Sequence, residues 1–235
     1  MAADTVAVAV DTAVAVAGRV ALVAGATGLV GRAVLADLLA DKRYVQVICV
    51  GRRALPLQHP KLVQHTVDFK AAAPFAALPH VDDGFIALGT TIKVAGSQAA
   101  FKAIDFEAVV AVAQAARAQG ATKLGVVSAM GADPKSAIFY NRVKGEMEQA
   151  LGKMGFQTLV IARPSMLAGN REALDQPPRT GERIALLATR WLSPIIPNNY
   201  RSIDAGDVAK ALLKTVKRGQ PGIHTLLSGA MQKQP

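Results

Sequence analysis

Residues 19–40, RVALVAGATGLVGRAVLADLLA, decide how this chain folds. The stretch RVALVA has the short apolar character of a buried strand, and it runs straight into Gly25-Ala26-Thr27-Gly28-Leu29-Val30-Gly31. The residues that follow read as a helix over about 29–41. Three glycines at a spacing of three have separate physical uses at such a junction. The first, Gly25, permits a tight turn; the second, Gly28, lets the backbone approach a pyrophosphate; the third, Gly31, lets helix and strand pack closely. With Thr27, Leu29 and Val30 between them they form a candidate phosphate cradle, in which backbone N–H groups and the positive end of the helix dipole face the anion. Glycines placed only for packing are the alternative reading of the same turn.

Working outward from this junction, short apolar runs alternate with longer amphipathic ones almost to the end of the chain. Strands are expected at 19–24, 45–50, 62–67, 84–89, 123–128, 158–163 and 222–227, and helices at about 29–41, 97–119, 139–154 and 207–217, with a weaker one near 181–192. Alternation of this kind implies an α/β fold: one doubly wound parallel sheet covered by helices on both faces. In the helix at 97–119, Phe101, Ile104, Val109, Val112 and Ala116 recur near helical spacing, and Gly120 stands where a stop is expected. Prolines 164, 177, 178, 194 and 197 interrupt regular structure over 164–206. In this architecture an excursion past a strand's carboxyl end is where a substrate pocket is assembled.

Length and composition set the outer bounds. The chain has 235 residues, 51% of them hydrophobic and 19% charged, which is the composition of a globular domain. One domain over 19–235 is expected, preceded by an extension at 1–18 that is a frayed segment or a stray strand. That extension carries Asp4 and Asp11 rather than a basic cluster, so it is not read as an export signal. No uncharged apolar run reaches the roughly 18 residues of a membrane span. Cys49 is the single cysteine, excluding an internal disulfide and a cysteine-rich zinc site and pointing to a reducing compartment; a cytoplasmic location is expected. The net charge of +10 permits polyanion binding. Its scatter, with no aromatic series, argues against a dedicated nucleic-acid surface and reads more simply as a solubility device.

The second strand ends in Val50-Gly51-Arg52-Arg53, about 20 residues past the turn, where an acidic residue would meet a free ribose 2′-hydroxyl. Two arginines and no carboxylate suit a 2′-phosphate, so NADP(H) is expected over NAD(H). Asp68-Phe69 follows the third strand and Leu88-Gly89-Thr90-Thr91 the fourth, both on the edge that carries the glycine turn. Asp68 could accept from the adenine amino group or simply form a turn. Ser128 closes the fifth strand, and the next helix carries Tyr140 and Lys144 four residues apart, on one face. Such a set can reduce a carbonyl. An ammonium about 4 Å from a phenol favours the phenolate by at most about 4 kcal/mol at an effective dielectric of 20. Ser128 would hydrogen-bond the substrate oxygen, Tyr140 deliver the proton, and Lys144 bind the nicotinamide ribose. The alternative is an exposed helix with Lys144 in solvent.

Taken in order, GATGLVGR, VGRR, VDF, ALGTT, VVSAMGAD and YNRVKGEMEQAL resemble the short-chain dehydrogenase/reductase superfamily in its atypical branch, within it the Tat-interacting-protein oxidoreductase-like family and its bacterial relatives. The resemblance covers about 20–230. It implies a Rossmann fold, NADPH at Gly25, Gly28, Gly31, Arg52 and Arg53, and a Ser128-Tyr140-Lys144 active site. It also implies that Arg163-Pro164, followed by Ser165 and Met166, passes near the nicotinamide. Members of this branch often lack a known substrate, and some act as regulators that sense the cofactor. Two functions are therefore carried forward: a reductase of a small carbonyl compound, and an NADPH-occupied sensor or scaffold that controls a partner protein. The chain is too short for the large substrate domain of sugar-nucleotide epimerases. Arg171, Arg179, Arg183, Arg190 and Trp191 could meet a small acidic substrate or be ordinary surface residues. His59, His65, His80 and His224 lack metal-ligand spacing, so no metal is expected. Oligomeric state is left open.

Overall fold

The computed structural model describes residues 18–69, 75, 78–168 and 197–232. The expected extension before residue 18, the helix near 181–192, Pro177, Pro178, Pro194 and the cluster from Arg171 to Trp191 lie outside the described residues. Strands β1 (Arg19–Ala24), β2 (Tyr44–Gly51), β3 (Leu62–Thr66), β4 (Asp83–Ile86), β5 (Lys123–Val127) and β6 (Thr158–Arg163) join β9 (Gly222–Leu227) in one seven-stranded sheet. Its order is β3-β2-β1-β4-β5-β6-β9, with every pair parallel. Between β6 and β9, β7 (Leu167–Ala168) and β8 (Ile203–Asp204) form a separate parallel pair within the expected excursion.

Both faces of the sheet are covered, which is why its strands read as nearly continuous apolar runs. On one face Ala21, Val23, Val47 and Val160 pack against helix α1 (Leu29–Ala40) and helix α6 (Ala205–Arg218). On the other, Leu22, Ala24, Ile48 and Leu124 pack against α4 (Val109–Ala118) and α5 (Phe139–Gly152). Short helices α2 (Ile92–Ala95), α3 (Gln98–Lys102) and α7 (Ser228–Met231) are the other α-helices among the described residues. Where β1 meets β4, the buried Asp83 accepts from Arg19 Nε at 2.8 Å, Arg19 Nη2 at 2.7 Å and the Tyr44 hydroxyl at 2.7 Å.

The expected helix at 97–119 is interrupted. Between α3 and α4, Ala103–Ala108 forms a π-helical stretch. Within it Asp105, which shares a helix face with Phe101 and Val109, is fully buried, and Ile104 only partly so. Phe101, Val109, Val112 and Ala116 still face the core. The turn after α4 ends at Gly120, whose φ of +101° suits glycine.

Candidate functional site

The glycine turn lies at the carboxyl end of β1, at the point where strand order reverses. Gly25 has φ +87°, and a Cβ there would sit 2.4 Å from the Ala87 carbonyl oxygen. A Cβ on Gly31 would overlap the Gly25 carbonyl oxygen at 2.0 Å. These two glycines are demanded by the fold. Gly28 is different: its Cβ would come no closer than 3.5 Å to the Gly25 oxygen, an ordinary contact, so packing does not require a glycine there. Gly28 caps α1 with no side chain bonded to the helix N-terminus, and the first turn carries no acidic residue. The turn thus offers an anion uncapped backbone N–H groups and a surface stripped of side chain, which fits a dinucleotide diphosphate.

Around that turn, Thr27, Arg52, Arg53, Asp68 and Gly89 are exposed, and Leu29, Phe69, Leu88, Thr90 and Thr91 are partly buried. Val30 is buried beneath the turn. Thr91 caps α2 by accepting from the Val94 N–H at 3.2 Å. Met166 is exposed, its carbonyl accepting from the Ile203 N–H, and Pro164 accepts from the Met130 N–H, both at 3.0 Å.

Helix α5 presents Tyr140, Lys144 and Glu148 at successive intervals of four, one stripe along the helix. Tyr140 is half-buried with its ring 5.4 Å from that of Phe101, and its hydroxyl has no hydrogen bond among the described residues. Lys144 is buried, with Nζ 2.8 Å from Asp105 Oδ1. The contact is a buried ion pair, and Oδ1 has no further partner among the described residues. The other oxygen, Oδ2, accepts from the Thr90 N–H at 2.9 Å. A Cβ on Gly89 would lie 3.4 Å from Asp105 Oδ1 and 3.8 Å from Lys144 Nζ, so the bare backbone of that loop passes beside the pair. Lys144 in solvent, the alternative reading of the helix, is not what the structure has.

Ser128 extends the β5–β6 ladder through its N–H to the Ala162 carbonyl at 2.7 Å, and its hydroxyl donates to Glu148 Oε1 at 2.5 Å. Arg163 donates to the same carboxylate, from Nε to Oε1 at 3.0 Å and from Nη2 to Oε2 at 2.5 Å. This bidentate partner raises the Arg163 pKa above its ordinary value. Gly145 makes room for the loop after β5: a Cβ there would meet the backbone of Asp133 and Pro134 at 2.2 Å.

The structure therefore brings Lys144 to the Leu88–Thr91 loop and ties Ser128 to the tyrosine helix, while turning the Arg163 guanidinium to Glu148. Sequence reasoning missed Asp105 and Glu148. Asp105 carried a signal, because it lies four residues past Phe101 and four before Val109, on the apolar face of the expected helix. Glu148 carried one too: it lies four residues past Lys144, as Lys144 lies four past Tyr140.

Fold and site together define a nucleotide-binding protein of the short-chain dehydrogenase/reductase type. A family model described as NAD(P)H-binding matches residues 25–218, and the chain belongs to this family, in the atypical branch of the superfamily. It is 35% identical over 161 residues to "Protein fmp52, mitochondrial" of Emericella nidulans, covering 66% of this chain and 69% of that protein. It is 33% identical over 165 residues to rat protein HTATIP2, covering 68% and 66%. Among solved structures, MoeE5 in complex with UDP-glucuronic acid and NAD superposes with a TM-score of 0.69 at 18% identity, covering 90% of this chain and 76% of that one. A short chain dehydrogenase family protein from Francisella tularensis gives 0.65 at 14% identity, covering 91% and 99%. At these identities the structures speak for the fold alone. The expectation of a cytoplasmic location is corrected: several relatives, including those of Emericella nidulans and Candida albicans, are named mitochondrial, which points away from the cytoplasm. The inference from Cys49 reaches only as far as a reducing environment, which is not one compartment.

Proposed function

We propose that the protein is an NADP(H)-dependent oxidoreductase that reduces a small carbonyl compound, with Tyr140 as general acid. The observation that carries this reading is the buried Lys144, held beside the side-chain-free Gly89 and one turn from Tyr140, whose hydroxyl has no hydrogen bond among the described residues. In this reading the N–H groups around Gly28 bind the diphosphate, and Lys144 binds the nicotinamide ribose. The exposed Arg52 and Arg53 take the 2′-phosphate, which sets the preference for NADP(H) over NAD(H). When bound, the reduced cofactor supplies hydride. Tyr140 donates its proton to the substrate oxygen, and Phe101 packs against its ring to fix its direction.

Titration of the purified protein should give tighter binding of NADPH than of NADH, with the difference lost on Arg52→Ala and Arg53→Ala together. Tyr140→Phe should abolish turnover of carbonyl substrates while leaving NADPH affinity within about threefold.

A sensor that turns over nothing is the second reading. It draws support from the internal engagement of two polar groups, Ser128 with Glu148 and Lys144 with Asp105. For a sensor Tyr140→Phe would be silent, and affinity for a partner protein would follow the NADPH/NADP ratio.

A further inference from the structure

Lys144 and Asp105 are both buried, and Nζ stands 2.8 Å from Oδ1. Charges held that far from water are little screened by salt, so the field around them is set by the pair itself. An ammonium and a carboxylate in contact carry no net charge between them. The next carboxylate along the helix stripe is matched likewise, because Glu148 holds the Arg163 guanidinium through both oxygens. Asp105 also reaches the neighbouring loop. Its Oδ2 accepts from the Thr90 N–H at 2.9 Å, and a Cβ on Gly89 would lie 3.8 Å from Lys144 Nζ. One carboxylate thus touches both the ammonium and the loop after β4, on the sheet edge that carries the glycine turn. An amide oxygen could accept from the same donors. What the carboxylate adds is charge.

From this we infer that Asp105 is a positioning residue that cancels the charge of Lys144 at the nicotinamide end of the site, so that the oxidised dinucleotide is not repelled relative to the reduced one. The inference rests on the nicotinamide ribose lying at Lys144, as proposed above. An oxidised nicotinamide ring carries a positive charge that the reduced ring lacks. A bare ammonium buried nearby would act against the oxidised form alone, in surroundings whose effective dielectric is far below that of water. Paired with Asp105, the same ammonium keeps N–H donors for the ribose hydroxyls while its field is cancelled. A reductase that takes up NADPH and releases NADP+, and a sensor that compares the two, need this balance equally.

Dissociation constants for NADPH and NADP+, measured on the full chain, test this without any substrate. The quantity read is the ratio Kd(NADP+)/Kd(NADPH). Asp105→Asn keeps the shape and an acceptor oxygen but removes the charge, and should raise the ratio at least about fivefold over the parent protein. Asp105→Asn combined with Lys144→Met removes both charges and should return the ratio to within about twofold of the parent, whatever happens to the two affinities. Lys144→Met alone leaves the carboxylate and should not raise it. A purely structural role for Asp105 would weaken both ligands together. An unchanged ratio in Asp105→Asn therefore overturns the inference and leaves the cofactor site standing, as does a parent protein that binds NADPH and not NADP+. A rise that persists in the double variant, or one in Lys144→Met, overturns it as well. Thermal midpoints show which variants are folded; where Asp105→Asn alone is not, the other two carry the test, and a raised ratio in either overturns the inference. Failure of the parent protein to bind either dinucleotide overturns the cofactor reading and the inference together.

Discussion

Gly28 and Gly31 occupy one turn for opposite reasons, and substitution separates them. Gly31→Ala drives a Cβ into backbone and should cost about 3 kcal/mol or more in urea denaturation. Gly28→Ala meets only an ordinary contact at a φ of −83° and should cost at most about 1 kcal/mol, yet lower NADPH affinity by at least tenfold in a fluorescence titration. Asp105 provides a third measure. Removing it by Asp105→Ala leaves the buried Lys144 ammonium without its partner, with an expected loss of about 3–5 kcal/mol in the same denaturation assay. Burial pushes the Cys49 thiol up to about 12, so iodoacetamide at pH 8 should label it in urea and spare it in the native protein. At this scale the glycines were legible because each answers a backbone constraint that side-chain chemistry cannot meet. Asp105 was overlooked although it falls midway between Phe101 and Val109 on the apolar face, and the π-helical winding around it carries no signal in the sequence.

That winding is a matter for the elements. The apolar positions of 97–119 specify a helix, and Phe101, Val109, Val112 and Ala116 lie where spacing puts them. Nothing in propensity marks the π-helical stretch at Ala103–Ala108, which contains the carboxylate paired with Lys144. Most strands agree with their expected ranges within a residue, whereas β4 ends at Ile86 where the apolar run continues to Leu88. Ala87 still donates its N–H to the Ala24 carbonyl of β1 at 2.8 Å, and the chain leaves the sheet after it to run over the site. Another contact joins elements far apart in sequence. Asp41, just past α1, is hydrogen-bonded to Arg43 and to Lys217 of α6, which together hold its carboxyl well below the usual carboxylate range. An acid whose folded pKa is depressed adds stability above its unfolded value near 4 and loses it as pH falls further. Lys217→Met should therefore lower the urea midpoint at pH 7, and the gap from the parent protein should narrow below about pH 4.

Across the whole molecule, the alternation of short apolar runs with amphipathic stretches was enough to anticipate a parallel sheet with two covered faces, since only that arrangement buries both Ala21 and Leu22. Strand order depends on long-range pairing that periodicity does not record. Ligand linkage is also a property of the whole fold. NADPH at 100 times its Kd adds about 2.7 kcal/mol to a protein that binds it only when folded. For a chain of this size the thermal midpoint should then rise by roughly 5–10 °C, with a smaller rise for NADH at the same concentration. The central position of β1 has a further cost during synthesis. It pairs with β2 early, but its other edge stays open until β4 arrives some 60 residues later, when Asp83 meets Arg19. A nascent chain leaving the ribosome therefore carries an unprotected apolar edge for several seconds of translation, and during that interval it is a client for chaperones.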